Sequence, residues 1–243
     1  MALYAIGDLH LSFLVDKPMD VFGSVWKNHV KKIERRWKKA IGEEDTVVIT
    51  GDHSWGRNLK ESEADLEFIC QLPGRKILLR GNHDMFWDVK KTKQLNERYK
   101  GRLSFLQNNY ETYKDYALVG TKGYCYEGKD SYEHFEKIRD REMERLRLSF
   151  ERAKQDGYEN YLMFLHYPPT SIGENESCFT KIAEEYGVEQ VIYSHCHGQE
   201  RYHDSFIGNV NGIEYQLVSS DYLQFHPLCI MDVPEKRKFL KFL

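Results

Sequence analysis

The sequence predicts an α/β fold in which two β-sheets lie between helices. Three features carry that expectation. Short apolar runs alternate with amphipathic helical stripes over most of the chain, βαβα in order at the front and strand-rich in the tail. Hydrophobic residues make up 41% of the 243 residues and aromatic ones 14%, enough to bury a sizeable core. No repeat, low-complexity stretch or linker interrupts the pattern, so residues 1–243 read as a single domain with a charged helical insertion around 123–156.

In chain order, residues 3–6 (LYAI) form the first predicted strand. Trp26, Val30, Ile33, Trp37 and Ala40 recur at steps of three and four, which predicts a helix over 24–41 capped by Ser24. The run 46–49 (TVVI) is the next strand, and a helical pattern follows over 62–72. Pro73-Gly74 breaks the chain before the strand 76–79. A helix over 88–99 and strands at 103–106 and 116–120 come next. Residues 131–155 are strongly charged but keep Phe135, Ile138, Met143, Leu146, Phe150 and Ala153 near one face, a long helix with a solvated side. The strand 161–165, a short helix over 181–186 and the strand 190–193 follow. Asn211-Gly212 between Val210 and Ile213 signals a hairpin, and 215–219 and 228–233 close the chain as strands.

Composition narrows the function. A formal charge of −3 gives no bulk attraction for polyanions, and no basic, aromatic-interleaved groove is evident, so nucleic acid is not favoured as a partner. The five cysteines are scattered, odd in number and form no C-x-x-C pair, which points to a reducing compartment. The N-terminal MALYAIGDLH lacks the basic-then-apolar layout of a secretory signal, and no apolar run approaches the roughly 20 residues that span a bilayer. A cytoplasmic protein without membrane contact is expected; nothing in the sequence bears on its oligomeric state.

Five apolar strands run straight into metal-ligand chemistry: GDLH at Asp8 and His10, GDH at Asp52, GNHD at Asn82, a lone His166, and SHCH at His195 and His197. Ligands of α/β proteins gather beyond the carboxyl ends of strands, so five parallel strands would bring these ends together along one sheet edge. The oxygen and imidazole donors suit manganese or iron(II), with zinc also compatible. Seven such side chains exceed the need of one ion, and two ions sharing a bridging carboxylate account for them better. Gly7, Gly51 and Gly81 each precede a ligand, where a tight turn calls for a permissive backbone.

The order D-x-H, G-D, G-N-H-D, H, H-x-H resembles the calcineurin-like metallophosphoesterases, over Asp8 to His197. The resemblance implies a four-layer αββα sandwich of two packed mixed sheets, two divalent metal ions and hydrolysis of a phosphoester, the substrate being a small molecule or nucleotide. It assigns Asp8, His10 and His197 to one ion, Asn82, His166 and His195 to the other, and Asp52 to both. Ions about 3.5–4 Å apart can clamp an in-line displacement and acidify a shared water, whose hydroxide attacks phosphorus. The same resemblance makes His83, oriented by Asp84, the group that stabilises the phosphoryl oxygens or protonates the leaving oxygen, and Asn82 and His83 then touch substrate. Two positions depart from the family pattern. Trp55 stands where the protein serine/threonine phosphatases carry a second aspartate, with the arginine displaced to Arg57, and Ser194 stands where glycine is usual.

Arg57, in the loop after Asp52, is a candidate for steering phosphate, whereas Arg80 reads as a structural pair beneath the site. His53 adjoins Asp52 without a motif that requires it. Cys196 reads as a packed thiol between two ligands. Trp55, Phe86, Trp87, Tyr126 and Tyr167 could stack on a substrate ring or simply pack, and the insertion could form a lid.

Overall fold

The computed structural model describes residues 1–128 and 131–232. Its first half alternates strand and helix: β1 (Ala2–Ile6), α1 (His29–Ala40), β2 (Thr46–Ile49), α2 (Leu59–Gln71), β3 (Arg75–Leu79), α3 (Thr92–Arg98) and β4 (Leu103–Leu106). The second half continues with β5 (Tyr110–Tyr113), β6 (Tyr116–Thr121), α4 (Tyr132–Gln155), β7 (Asn160–Leu165), α5 (Cys178–Glu185), β8 (Gln190–Tyr193), α6 (Gly198–His203), β9 (Gly208–Val210), β10 (Ile213–Leu217) and β11 (Leu228–Asp232). One sheet has five strands in the order β11-β1-β2-β3-β4, and the other has six in the order β5-β6-β7-β8-β10-β9. The first is parallel except for β11 at one edge, and the second keeps a parallel centre with antiparallel strands at both edges.

Residue alternation along the strands builds the layers. In β2, Val47 and Ile49 pack with Ile33 and Trp37 of α1 and with Leu66 and Ile69 of α2. Val48, between them, turns the other way and meets Leu118, Leu162 and Phe164 of the second sheet. In β7 the neighbours Tyr161, Met163 and Leu165 face Leu146 and Phe150 of α4 and Ile182 of α5. Side chains of a strand point to opposite faces in turn, so these three clusters define helix, sheet, sheet, helix. The expected αββα sandwich is the observed fold.

Differences from the sequence reading are local and have identifiable causes. The helix expected from Ser24 starts at His29, because Lys27 is extended and Asn28 is left-handed (φ 56°), while 24–26 form a separate 3-10 turn. α2 begins earlier than expected, at Leu59, because the Asn58 side chain accepts from the Glu61 N–H. β5 and α6 carried no clear period and were not expected. The Asn211-Gly212 hairpin is present, with both residues at positive φ as its two-residue turn requires. Of the last predicted strand, Val233 lies outside the described residues, as do 129–130 of the insertion. α4 lies on the outer face of the second sheet through Leu146, Phe150 and Ala153, so it is a layer of the sandwich rather than a lid.

Candidate metal centre

The ligand-bearing strand ends come from both sheets, not from one edge. β1, β2 and β3 deliver Asp8, His10, Asp52 and Asn82 from the first sheet; β7 and β8 deliver His166, His195 and His197 from the second. Face-to-face packing closes the site between them. The chain bends sharply there: Asp8, His10, Asp52 and His195 all have left-handed φ, between 46° and 72°. Such conformations are uncommon for residues other than glycine and gather at functional sites. Gly51 shares the conformation (φ 103°), but Gly7 and Gly81 do not. Those two are glycine for space. A Cβ on Gly81 would run into the Asp52 carboxylate, and one on Gly7 into Ser194 and Thr50.

Two groups of donor atoms result. Asp8, His10 and His197 offer atoms within 4.8 Å of one another, and so do Asp52, His166 and His195. In the first, His10 Nε2 lies 3.4 Å from His197 Nε2. In the second, His166 Nε2 lies 2.6 Å from Asn82 Oδ1 and 3.2 Å from His195 Nδ1. Asp52 Oδ2 sits between the groups, 3.8 Å from His10 Nε2 and 3.5 Å from His166 Nε2.

Electrostatics shows what these groups are built to hold. Asp52 is 1% exposed, and burial, aided by the negative charges of Asp84 and Asp8, holds its carboxyl well above the usual range. Burial likewise raises Asp8, whose Oδ1 has no hydrogen-bond partner among the described residues. Burial also pushes His10 and His166 well below the ordinary histidine range, so both rings are neutral. No lysine or arginine ion-pairs with Asp8 or Asp52 among the described residues. Buried carboxylates facing the neutral His10 and His166 rings, opposed by the His197 ring, which Asp8 and Asp221 hold above its ordinary range against burial, and by Lys122 at longer range, form a site short of positive charge. A pair of divalent ions fits that deficit. The donors are oxygen and nitrogen without thiolate, because Cys196, though between two ligands, is buried in the apolar cluster under β8.

Outer contacts orient the histidines. His197 Nδ1 pairs with Asp221 Oδ1 at 2.8 Å, leaving Nε2 for the first group. His195 Nε2 lies 3.2 Å from Glu127 Oε1, which Arg201 Nη2 also meets at 3.1 Å, leaving Nδ1 for the second. His166 Nδ1 lies 2.9 Å from the Thr50 carbonyl. Each partner fixes a tautomer and a ring plane, as outer-shell groups do around metals. Neither carboxylate was expected from the sequence. Asp221 follows β10 much as the other ligands follow their strands, a signal that was there to be read; Glu127 lies five residues into an irregular segment and had none. Ser194, at the family's usual glycine position, donates its Oγ to the Thr50 carbonyl at 2.7 Å.

Three expectations change. Asp84 does not orient the His83 ring. Its carboxylate accepts from the N–H groups of Gly81 (2.7 Å), Asp52 (3.0 Å) and His53 (2.9 Å), and it meets His53 Nδ1 at 2.8 Å. Burial alone would raise its pKa, but the His53 ring and these donors outweigh it and hold the carboxyl below its usual range. His53, which no motif called for, is thereby buried as the partner of Asp84. The second change concerns Arg57, which is exposed in the turn before α2 and does not line the cavity over the donors. A cation does approach the cavity wall in Lys17, its Nζ 4.9 Å from the centroid of Trp55. The Arg80 Nε is buried without a partner among the described residues, so the pair expected for it is not seen at that atom.

His83 does reach the site. Its backbone N–H donates to Asp52 Oδ1 at 2.8 Å, and its ring lines a cavity of about 620 Å³ above both donor groups. Trp55 stacks on His10 at 4.9 Å between centroids and stands 4.2 Å from His83. Burial, reinforced by His195 and His197, lowers the His83 pKa to about 4 against the pull of Asp84.

Two buried nitrogen–oxygen donor groups on either side of Asp52, at the strand ends of an αββα sandwich, make a candidate binuclear metal centre. The family model described as calcineurin-like phosphoesterase matches residues 1–199, and the chain belongs to that family, which depends on a binuclear metal centre. Among curated proteins it is similar to the gene 66 proteins of Mycobacterium phages L5 and D29, 40% identical over 58 residues and 39% over 57. Those matches cover 24% of this chain and 28% of the phage proteins. Among solved structures it is similar to a phosphopantetheinyl hydrolase from Mycobacterium tuberculosis, with a TM-score of 0.59, 12% identity and 96% of each chain covered. It is also similar to a protein of unknown function from Aquifex aeolicus, with a TM-score of 0.50, 19% identity, and 93% and 94% of the two chains covered. At such identities the likeness is one of fold. No helix among the described residues is long and apolar enough to cross a membrane.

Proposed function

We propose that this chain hydrolyses small phosphorylated molecules, with the phosphoryl group seated over Asp52 in the cavity that His83 lines. The observation that carries this reading is the pair of buried donor groups on either side of Asp52, opening into one cavity. Asp8, His10 and His197 would hold one ion, Asn82, His166 and His195 the other, and Asp52 both. Manganese or iron suits the donors, and zinc is compatible. Bound there, the ions supply Lewis acidity toward the phosphoryl oxygens and activation of water.

The chain's own residues do the rest. Asp221, Glu127 and the Thr50 carbonyl hold the histidine nitrogens toward the centre. His83, neutral at pH 7, donates a hydrogen bond to a phosphoryl oxygen, and an anion beside it raises its affinity for the proton the leaving oxygen needs. Asp84 keeps the backbone of Asp52 and His53 in place. A concave cavity and a charge of −3 favour a small substrate over nucleic acid. Purified protein supplied with manganese should hydrolyse p-nitrophenyl phosphate or its bis-ester, and Asp52→Asn should reduce the rate to background. Sustained turnover by Asp52→Asn, or after thorough chelation, would overturn the reading.

A further inference from the structure

The cavity is far larger than a phosphoryl group needs, and its surplus has a consistent chemistry. At about 620 Å³ it falls in the range of pockets that enclose drug-sized ligands. One wall is apolar and comes from the two 3-10 turns at Met19–Phe22 and Ser24–Trp26. Trp26 is fixed there, edge-on to His10, His197 and Phe225. Trp55 is fixed too, its Nε1 3.2 Å from Met19 Sδ. Phe22 differs. It is 58% exposed and, with Val25, presents apolar surface at the cavity that no other described residue covers. Gln199 and Gln224, both exposed, also line the cavity and add amides to it. Gln224 and Phe225 are held in successive left-handed conformations (φ 49° and 62°), at a backbone cost.

We infer that the cavity takes the non-phosphoryl part of the substrate, and that this part is a planar aromatic ring with hydrogen-bonding edges, of the chemical class of a nucleobase. Phe22 offers it a face, and Gln199 and Gln224 offer amides that both donate and accept along its edge. An acyl chain would use the apolar wall but would gain nothing from the two amides. The inference rests on the phosphohydrolase reading for the position of the phosphate, while the base site itself is independent of catalysis.

Two measurements test it. Adenosine, which carries no phosphate, should bind metal-free protein and quench its tryptophan fluorescence, and Phe22→Ala should weaken that binding about tenfold or more, the usual scale of losing one base–aromatic stack. With manganese present, kcat/KM for adenosine 5′-monophosphate should exceed that for glycerol 3-phosphate. Phe22→Ala should shrink that ratio about tenfold, and Phe22→Trp should keep it. Phe22 is exposed, so neither substitution threatens folding. If both phosphates are hydrolysed at equal efficiency, or if dodecyl phosphate is preferred, the base site is wrong and the phosphohydrolase reading stands. If adenosine binds through Phe22 while no phosphoester is cleaved, the base site stands and the phosphohydrolase reading fails. Failure of adenosine to bind overturns the inference directly.

Discussion

The floor of the site and its walls are made in different ways. The floor is five strand ends from two sheets, with buried polar atoms, the neutral rings of His10 and His166, and candidate ligands bent into left-handed backbone. The walls come from short turns, α6 and the loop after β10, part apolar and part polar, with Phe22 standing open to solvent. A floor of this kind fixes what reaction can occur, since every donor is held by the sandwich core. The walls decide what is brought to it, and they can change without disturbing a strand. Even within the floor there is a division. Asp52 and Asp84 are both buried, yet Asp52 is short of donors while Asp84 is saturated with them.

That division predicts the largest contrast. Asp84→Ala leaves three backbone N–H groups and the His53 ring without their acceptor, and should cost about 3–5 kcal/mol of stability in the metal-free protein. Asp52→Asn removes a carboxylate whose charge the fold disfavours, and should leave the metal-free urea midpoint unchanged or raised at neutral pH while it abolishes turnover. Equal destabilisation by the two would erase the distinction between a structural and a functional aspartate.

The contrast sharpens at the outer partners of the histidines. Asp221→Ala and Glu127→Ala should each weaken metal binding about 10- to 100-fold, the first at the ion assigned to His197 and the second at the ion assigned to His195. Metal titration by calorimetry, with two resolved binding events, would read this. Cys196→Ala should leave both events in place, since its thiol packs away from the donors. At the rim the effects are smaller. Lys17→Ala should raise KM about threefold in a salt-sensitive way, whereas Arg57→Ala should leave it unchanged. Steady-state kinetics at two ionic strengths would reverse that assignment if Arg57 proved the more important.

What the sequence made legible follows the same line. The fold could be read because its strands are short apolar runs and its helices carry stripes such as Ile33, Trp37 and Leu146, Phe150. The candidate donors could be singled out because each follows a strand, and the fold brings them together in two groups. The cavity walls could not, since Met19, Phe22 and Gln224 lie in segments without period, and only tertiary packing brings them to one cavity. The partnership of Asp84 was misassigned for a physical reason. Adjacency in GNHD suggested His83, but the turn after β3 aims that carboxylate back at the β2 end, where His53 waits. Gly7 and Gly81 were placed correctly as special positions for the wrong reason, since space rather than φ demands them.

A last comparison sets the anion-rich floor against the cation buried behind it. Lys122 follows β6, with its Nζ 5.1 Å from the ring centroids of both Tyr124 and Tyr167. Burial lowers its pKa to about 8, with Arg80, Arg141 and Arg145 acting the same way and Glu142 opposing. A lysine in the unfolded chain titrates near 10.4. Between those values the unfolded chain binds a proton that the folded protein does not, so stability rises with pH across that window. Below pH 8 both states are protonated, and the folded state bears the whole cost of the buried charge. Lys122→Met should therefore stabilise the protein at pH 7, by about 1–2 kcal/mol once partial solvent access and the two rings are allowed for. The advantage should fade as pH climbs toward 10, which urea midpoints of both proteins at pH 7 and 9.5 would measure. A benefit equal at both pH values would mean that methionine gains by packing, and that the Lys122 charge costs the fold nothing.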